Sequence, residues 1–343
     1  MNGRLESELK AQKLVEKKLE SLPTYFANWY RSMKSQGVSH NTYKNYINIV
    51  TKFMKTVGND INDINIAEIS YDDISEYIDK SRYRTDKNGN VKEASPDYPK
   101  LIYHALFSFF VYMKASEKIE KNPMENMKIP KGKREKDRPQ ITWKDERKLL
   151  MCVNKGVGSG RSKVQQIEWK DRNLLIMSLL IYTGMRKTAL SEINVEDIDF
   201  EKKILKIVDK GKIPHTYFLD SDLMDLISNW MIKREHFLAG IECDALFISN
   251  QRRRLSSGEI NKIIKKFTEP LNLGKVTAHD LRAAFITLQY EETNDIEAVR
   301  EMVGHSSITT TQRYINKHTS EAAKRNAISN IKTNIDLGSI VNA

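Results

Sequence analysis

Cysteine is scarce in this chain of 343 residues: Cys152 and Cys243 stand far apart and form no CxxC pair. Neither a disulfide framework nor a zinc site can be read from them, and both read as reduced, buried thiols of an intracellular protein. Long apolar runs are missing as well. The opening residues, MNGRLESELKAQK, hold no apolar signal core. The longest apolar stretch, residues 174–182, falls short of the roughly 18–20 residues that span a bilayer and reads as a core helix. The glycine-rich segment 155–163 (KGVGSGRSK) fits neither GxxxxGK[ST] nor GxGxxG and follows no strand, so it reads as a flexible loop. There is no internal repeat, no low-complexity tract and no carboxylate cluster with metal spacing. The expectation is a cytoplasmic protein with no membrane partner, no metal and no cofactor.

What is abundant is positive charge. Lys and Arg number 56 against 45 Asp and Glu, a formal charge of +11, and the isoelectric point is about 9.3. Such a surplus attracts polyanions and favours fast, salt-sensitive association with nucleic acid, although charge alone does not single out that partner. The length suggests two domains. With 40% hydrophobic and 29% charged residues, each half can bury an ordinary core, and a mean hydropathy of -0.55 fits a soluble protein.

Along the chain, residues 5–20 read as a charged amphipathic helix, either a solvated extension or a docking arm. Helices follow over 25–34, after Ser39 as a cap, and over 72–80. Residues 81–99 break the pattern, with Asn88-Gly89 as a hairpin tip. Arg82 and Arg84 make that loop a candidate DNA contact. Residues 100–114 (KLIYHALFSFFVYMK) form the strongest helix of this half, with aromatics better suited to a core than to base stacking. Asn122-Pro123 ends the helical run. Residues 128–140 (KIPKGKREKDRPQ) read as a linker. Its density of cations, notably Lys131, Lys133, Arg134 and Lys136, suits a strap along a phosphate backbone. Beyond it, Thr142 caps a helix, residues 174–183 form a buried one, and strands are expected at 204–208 and 216–219 around a Lys210-Gly211-Lys212 turn.

Four segments of the second half carry reactive side chains: TGMRKTALSEI with Arg186, IVDKGK with Lys210, AHDLRAAF with His279 and Arg282, and MVGHSSITTTQRY with His305 and Tyr314. Singly each has an ordinary structural reading. Together, in this order, they resemble the tyrosine recombinase family of phage and transposon integrases and Xer-type chromosome-resolving enzymes. The last segment is the most specific, with its tyrosine nine residues after the histidine of a GHSS turn. The likeness covers the whole second half and extends loosely to residues 107–123.

The chemistry agrees with the resemblance. Cleaving a phosphodiester builds negative charge on the non-bridging oxygens, which two guanidiniums can clamp bidentately; Arg186 and Arg282 suit that task. His279 and Arg282, three residues apart, share one helix face. His279 could take the proton of Tyr314, His305 could hydrogen-bond a phosphate oxygen, and Lys210 could protonate the leaving 5′-oxygen, with Lys212 its rival. A phenol ordinarily ionises near pH 10, so a nucleophilic tyrosine needs this cationic setting. Two positions depart from the family pattern: Ala189 stands where an acid usually buttresses the first arginine, with Glu192 the nearest acid, and Ala283 follows the second arginine.

The fold expected is mainly α. It is a two-domain DNA clamp with an N-terminal helical extension (1–20), a helical SAM-like core-binding domain (21–127), the basic linker (128–140) and a mostly helical catalytic domain with a small antiparallel sheet (141–343). The resemblance implies double-stranded DNA with paired sites as partner. It also implies a homo-tetramer on DNA formed from a monomer or weak oligomer, accessory DNA-bending proteins, and strand exchange through 3′-phosphotyrosine links and a Holliday junction. The competing readings are a type IB topoisomerase and a recombinase-derived DNA-binding regulator.

Overall fold

The structure, a computed structural model, describes residues 3–86, 88–131, 141–208 and 214–315. These fall into two compact units, within residues 5–131 and within residues 141–315. The fold is mainly helical, with two small antiparallel sheets.

The first unit comprises helices α1 (Gly3–Leu19), α2 (Thr24–Ser35), α3 (His40–Val57), α4 (Tyr71–Lys80) and α5 (Tyr98–Ala115), with a hairpin of β1 (Tyr83–Thr85) and β2 (Val91–Glu93) between the last two. Its helix starts are chemically marked. The Ser39 hydroxyl accepts the Thr42 N–H. Ser70 and Asp73 form a capping box whose hydrogen bonds hold the Asp73 carboxyl below the usual carboxylate range. At the hairpin tip the Asp86 carboxylate accepts the N–H groups of Asn88 and Asn90, and Gly89 supplies the positive φ of 83°.

The aromatics of α5 are core, as their crowding suggested: Phe109 and Phe110 are fully buried, and Phe109 meets the Trp29 ring edge-on at 5.1 Å. Two expectations are corrected. Helix α5 matches the helix expected over 100–114, but no helix carries on from Ala115 to Asn122-Pro123, where the Asn122 side chain instead turns the chain by accepting the Met124 N–H. The α1 helix is not wholly solvated: Val15 enters the core and Lys18 bonds Asn48 on α3.

The second unit contains α6 (Trp143–Lys155), α7 (Gly160–Glu168), α8 (Lys170–Thr183), α9 (Lys187–Glu192), strands β3 (Ile198–Asp199), β4 (Ile204–Val208) and β5 (Pro214–Phe218), then α10 (Ser221–Leu238), α11 (Ser257–Thr268), α12 (Ala278–Thr293) and α13 (Ile296–Val303). Residues 308–315 are helical again. The sheet is antiparallel in the order β3-β4-β5, with Ile207 opposite His215. Thr142 caps α6 as expected, in a capping box with Asp145. Segment 155–163 differs from its reading as a flexible loop. From Gly160 it is the start of α7, and the buried Gln166 side chain bonds both the N–H and the carbonyl of Val157, tying the preceding turn down.

Helix α8 runs through the middle of this core, with Leu175, Ile176, Met177, Leu179, Leu180 and Ile181 all buried. Its first turn is secured by Arg172, whose guanidinium lies 4.2 Å over the Trp169 ring and donates to Asn173 and the Ile248 carbonyl. Its last residue hands the chain to Gly184 in the left-handed region. A Cβ there would lie 2.5 Å from the Phe285 ring, so both φ and space demand glycine.

Candidate active site

The Gly184 turn is where the site begins. Met185 is buried in the core, and Arg186 follows as the N-cap of α9. The turn is held from α12. Arg282, only 3% exposed, donates through Nη1 to the Gly184 carbonyl at 2.6 Å and through Nη2 to the Val303 carbonyl at 2.9 Å. One buried guanidinium therefore joins the end of α8, next to Arg186, to the end of α13, next to His305. Both acceptors are helix-end carbonyls that have no partner within their own helix.

Helix α12 starts at Thr277, whose capping box with Asp280 fixes its first turn. His279 is therefore rigidly based but exposed, whereas Arg282, one turn on, faces inward. His305 sits just past Gly304, the C-cap of α13, with φ 65°. It is 3% exposed, and its Nδ1 lies 2.9 Å from the hydroxyl of the fully buried Thr311. If Thr311 donates, Nδ1 is the acceptor and Nε2 carries the proton.

Tyr314 lies half-buried on the helical residues 308–315. Its ring is nearly parallel to that of His305, with centroids 5.8 Å apart and 14° between planes, and its Oη lies 3.4 Å from His279 Nε2. Four of the six predicted residues, His279, Arg282, His305 and Tyr314, thus share one neighbourhood, and Arg282 reaches the turn that carries the fifth, Arg186. The sixth, Lys210, and its rival Lys212 lie outside the described residues, although the strands on either side of them are described. Ala189, where an acid was looked for, is buried in the core.

The other predicted DNA contacts belong to the first unit or to the linker. Arg82 pairs with Asp79 at 3.0 Å, and Arg84 lies 4.1 Å over the Tyr98 ring; both remain exposed on the hairpin. Lys131 is exposed, while Lys133, Arg134 and Lys136 lie outside the described residues.

Two supporting residues escaped the sequence reading. Thr311 is one of three threonines in a row, and only its spacing of six from His305 hinted that it is the one facing the ring. Arg254 binds the carbonyls of Ser191 and Ile193 and the Asn194 side chain, closing the end of α9. It stands in the run Arg252-Arg253-Arg254, where nothing local separates it from its two neighbours.

With this geometry in view, the relatives are informative. Residues 159–321 match the phage integrase family. The tyrosine recombinase XerA of Pyrococcus furiosus is 30% identical over 233 residues, covering 66% of this chain and 72% of the relative. Among solved structures, the XerH site-specific recombinase bound to a palindromic difH substrate shares 21% identity, with a TM-score of 0.64 over 86% of this chain and 81% of that one. A lambda integrase tetramer bound to a Holliday junction shares 18%, with a TM-score of 0.59 over 85% of this chain and 76% of that one. These two likenesses establish the fold. The chain belongs to the tyrosine recombinase family, the site-specific DNA recombinases that include the phage integrases.

Proposed function

We propose that this chain breaks and rejoins DNA at paired target sites through a 3′-phosphotyrosine intermediate formed by Tyr314. The observation that carries the reading is the approach of Tyr314 Oη to His279 Nε2 at 3.4 Å, beside His305 and the buried Arg282 bridge. Catalytic hydrogen bonds of this length commonly tighten once substrate is bound.

Tyr314 Oη forms a bond to phosphorus as its proton passes to His279 Nε2. The bond from phosphorus to the 5′-oxygen breaks, and that oxygen takes a proton from Lys210. Arg186 and Arg282 neutralise the charge that grows on the non-bridging oxygens, and His305 donates from Nε2 to one of them. Thr311 supports this by orienting the ring through its contact with Nδ1, and by donating to Nδ1 it favours the tautomer with the proton on Nε2. The phosphodiester energy stays in the tyrosyl link, so a 5′-hydroxyl from another strand reverses the step without ATP.

Strand exchange by four protomers on two duplexes through a Holliday junction extends the reading, with support from the lambda integrase tetramer that has been seen on such a junction. Lys131, Lys133, Arg134 and Lys136 of the linker and Arg82 and Arg84 of the hairpin serve as phosphate contacts in this account.

Tyr314→Phe tests it. The variant should bind target DNA with unchanged affinity and yield no covalent protein–DNA adduct on a nicked substrate that traps the intermediate. An adduct surviving in that variant would remove Tyr314 from the role.

A further inference from the structure

The last turn of α13 has four carbonyls with no partner inside the helix. The Gly304 N–H serves Arg300 and Glu301, and the His305 N–H also reaches Arg300. The Val303 carbonyl accepts from Arg282. The remaining one, on Met302, is met from a different part of the sequence: His215 Nε2 on β5 lies 3.2 Å from it. A carbonyl only accepts, so this contact puts the proton on Nε2. The His215 ring packs 4.4 Å from the Tyr217 ring, edge to face. It also covers Gly304 so closely that a Cβ there would come within 3.1 Å of Nδ1. Gly304 is therefore required twice, by its φ and by this ring.

His215 thus does for Met302 what Arg282 does for Val303, and the two side chains grip adjacent carbonyls of one helix end, separated from His305 by Gly304 alone. His215 stands opposite Ile207, one pair in from the last pair, Val208 with Pro214. The sequence between those strands contains Lys210 and Lys212.

We propose that His215 is a positioning residue for strand cleavage: it registers the β4–β5 hairpin on the helix end that Arg282 also holds, and so sets where the hairpin lysine meets the scissile phosphate. The proposal rests on the reading of Lys210 as the acid that protonates the leaving 5′-oxygen.

The test is single-turnover cleavage of ordinary DNA and of DNA with sulfur in place of the bridging 5′-oxygen, whose leaving group needs no proton. Wild type, Lys210→Ala, His215→Ala and His215→Gln are compared. A misplaced general acid costs up to about 100-fold, so His215→Ala should cleave ordinary DNA slower by roughly that factor and recover most of it on the sulfur strand. His215→Gln, which keeps an N–H donor, should stay close to wild type. The double variant His215→Ala/Lys210→Ala should be no slower on ordinary DNA than Lys210→Ala alone. His215→Phe keeps a ring against Gly304 and removes only the donor, so it carries the test should alanine destabilise the fold.

Wild-type cleavage by both His215→Ala and His215→Phe overturns the proposal. So does equal slowing of the His215 variants on both strands while Lys210→Ala is rescued, since the loss then does not pass through the lysine. If Lys210→Ala itself is not rescued, the general-acid reading fails and takes the His215 proposal with it. The assignment of Tyr314 stands or falls separately, on the adduct.

Discussion

Among the described residues of the first unit, the buried polar side chains are Thr51 and Asn122, set in a core of stacked and edge-on rings around Phe26, Trp29, Phe53 and Phe109. The second unit buries Arg172, Arg234, Asp280, Arg282, His305 and Thr311, among others. Each of these six makes hydrogen bonds to a helix end, a carbonyl of the 243–248 segment or a neighbouring side chain. Apolar contact is non-directional, so such a core accepts volume-conserving changes at modest cost. A buried guanidinium is stable only where its acceptors sit at the right angles and distances, and an incomplete set is expensive. The unit with the tyrosine is thus the one whose core fixes side-chain positions through directional bonds, as phosphoryl transfer demands.

The largest expected effect comes from cutting the central tie. Arg282→Lys keeps the charge but cannot span the Gly184 and Val303 carbonyls as a planar fork does. Cleavage should fall by roughly 1000-fold, the upper range for losing one preorganised donor of a transition-state charge. Phe109→Leu, in the apolar core of the first unit, should do the converse. It should lower the melting temperature of that unit and leave the rate of adduct formation on bound DNA nearly untouched. Equal loss of rate in the two variants would erase the contrast between the units.

A smaller effect is expected at Thr311. Without its hydroxyl, Nδ1 of the buried His305 loses its partner at 2.9 Å, and the ring is held less tightly in the orientation that faces Tyr314. Thr311→Val, close in shape, should slow cleavage by roughly 10- to 100-fold, with DNA affinity unchanged. Thr311→Ser should restore most of the rate. A valine variant at wild-type speed would mean that the hydroxyl serves packing alone.

Much of this was legible in the sequence where a local rule applied. Ser39, Thr142 and Asn88-Gly89 mark their helix starts and turn by chemistry that needs no tertiary context. The six reactive residues were found because their types and order match a family pattern. Three features were not readable. Gly160 starts a helix that depends on Gln166 reaching back to Val157. The α5 helix ends before the proline that was taken to stop it. His215 and Arg254 act through carbonyls 87 and about 60 residues away. The Gln166 bonds span only nine residues, and α5 ends in a local turn with Glu117 at positive φ and the Lys118 N–H on the Met113 carbonyl. Only His215 and Arg254 act over long range, and such contacts leave no periodic trace in the chain.

The smallest effect concerns a polar group of the second unit that breaks its own unit's rule. Glu146, in the first turns of α6, is 2% exposed, and neither carboxylate oxygen has a hydrogen-bond partner among the described residues. Burial, aided by the neighbouring charge of Asp145, pushes its carboxyl up to about 8. In the unfolded chain the same group ionises near pH 4.3. Between these values the unfolded state has released a proton that the folded state still binds, so stability is complete below about pH 4 and declines as pH rises towards about 8. Glu146→Gln, of nearly the same shape, has no proton to release. It should therefore be more stable than wild type by roughly 1–2 kcal/mol at pH 8, allowing for the cost of its own buried amide, and about equal at pH 4.5. Urea unfolding at the two pH values measures the difference. A gain of the same size at both would mean that the carboxylate is costly for its shape rather than its charge. No gain at pH 8 would mean that Glu146 finds a cationic partner in solution and follows the rule of its unit after all.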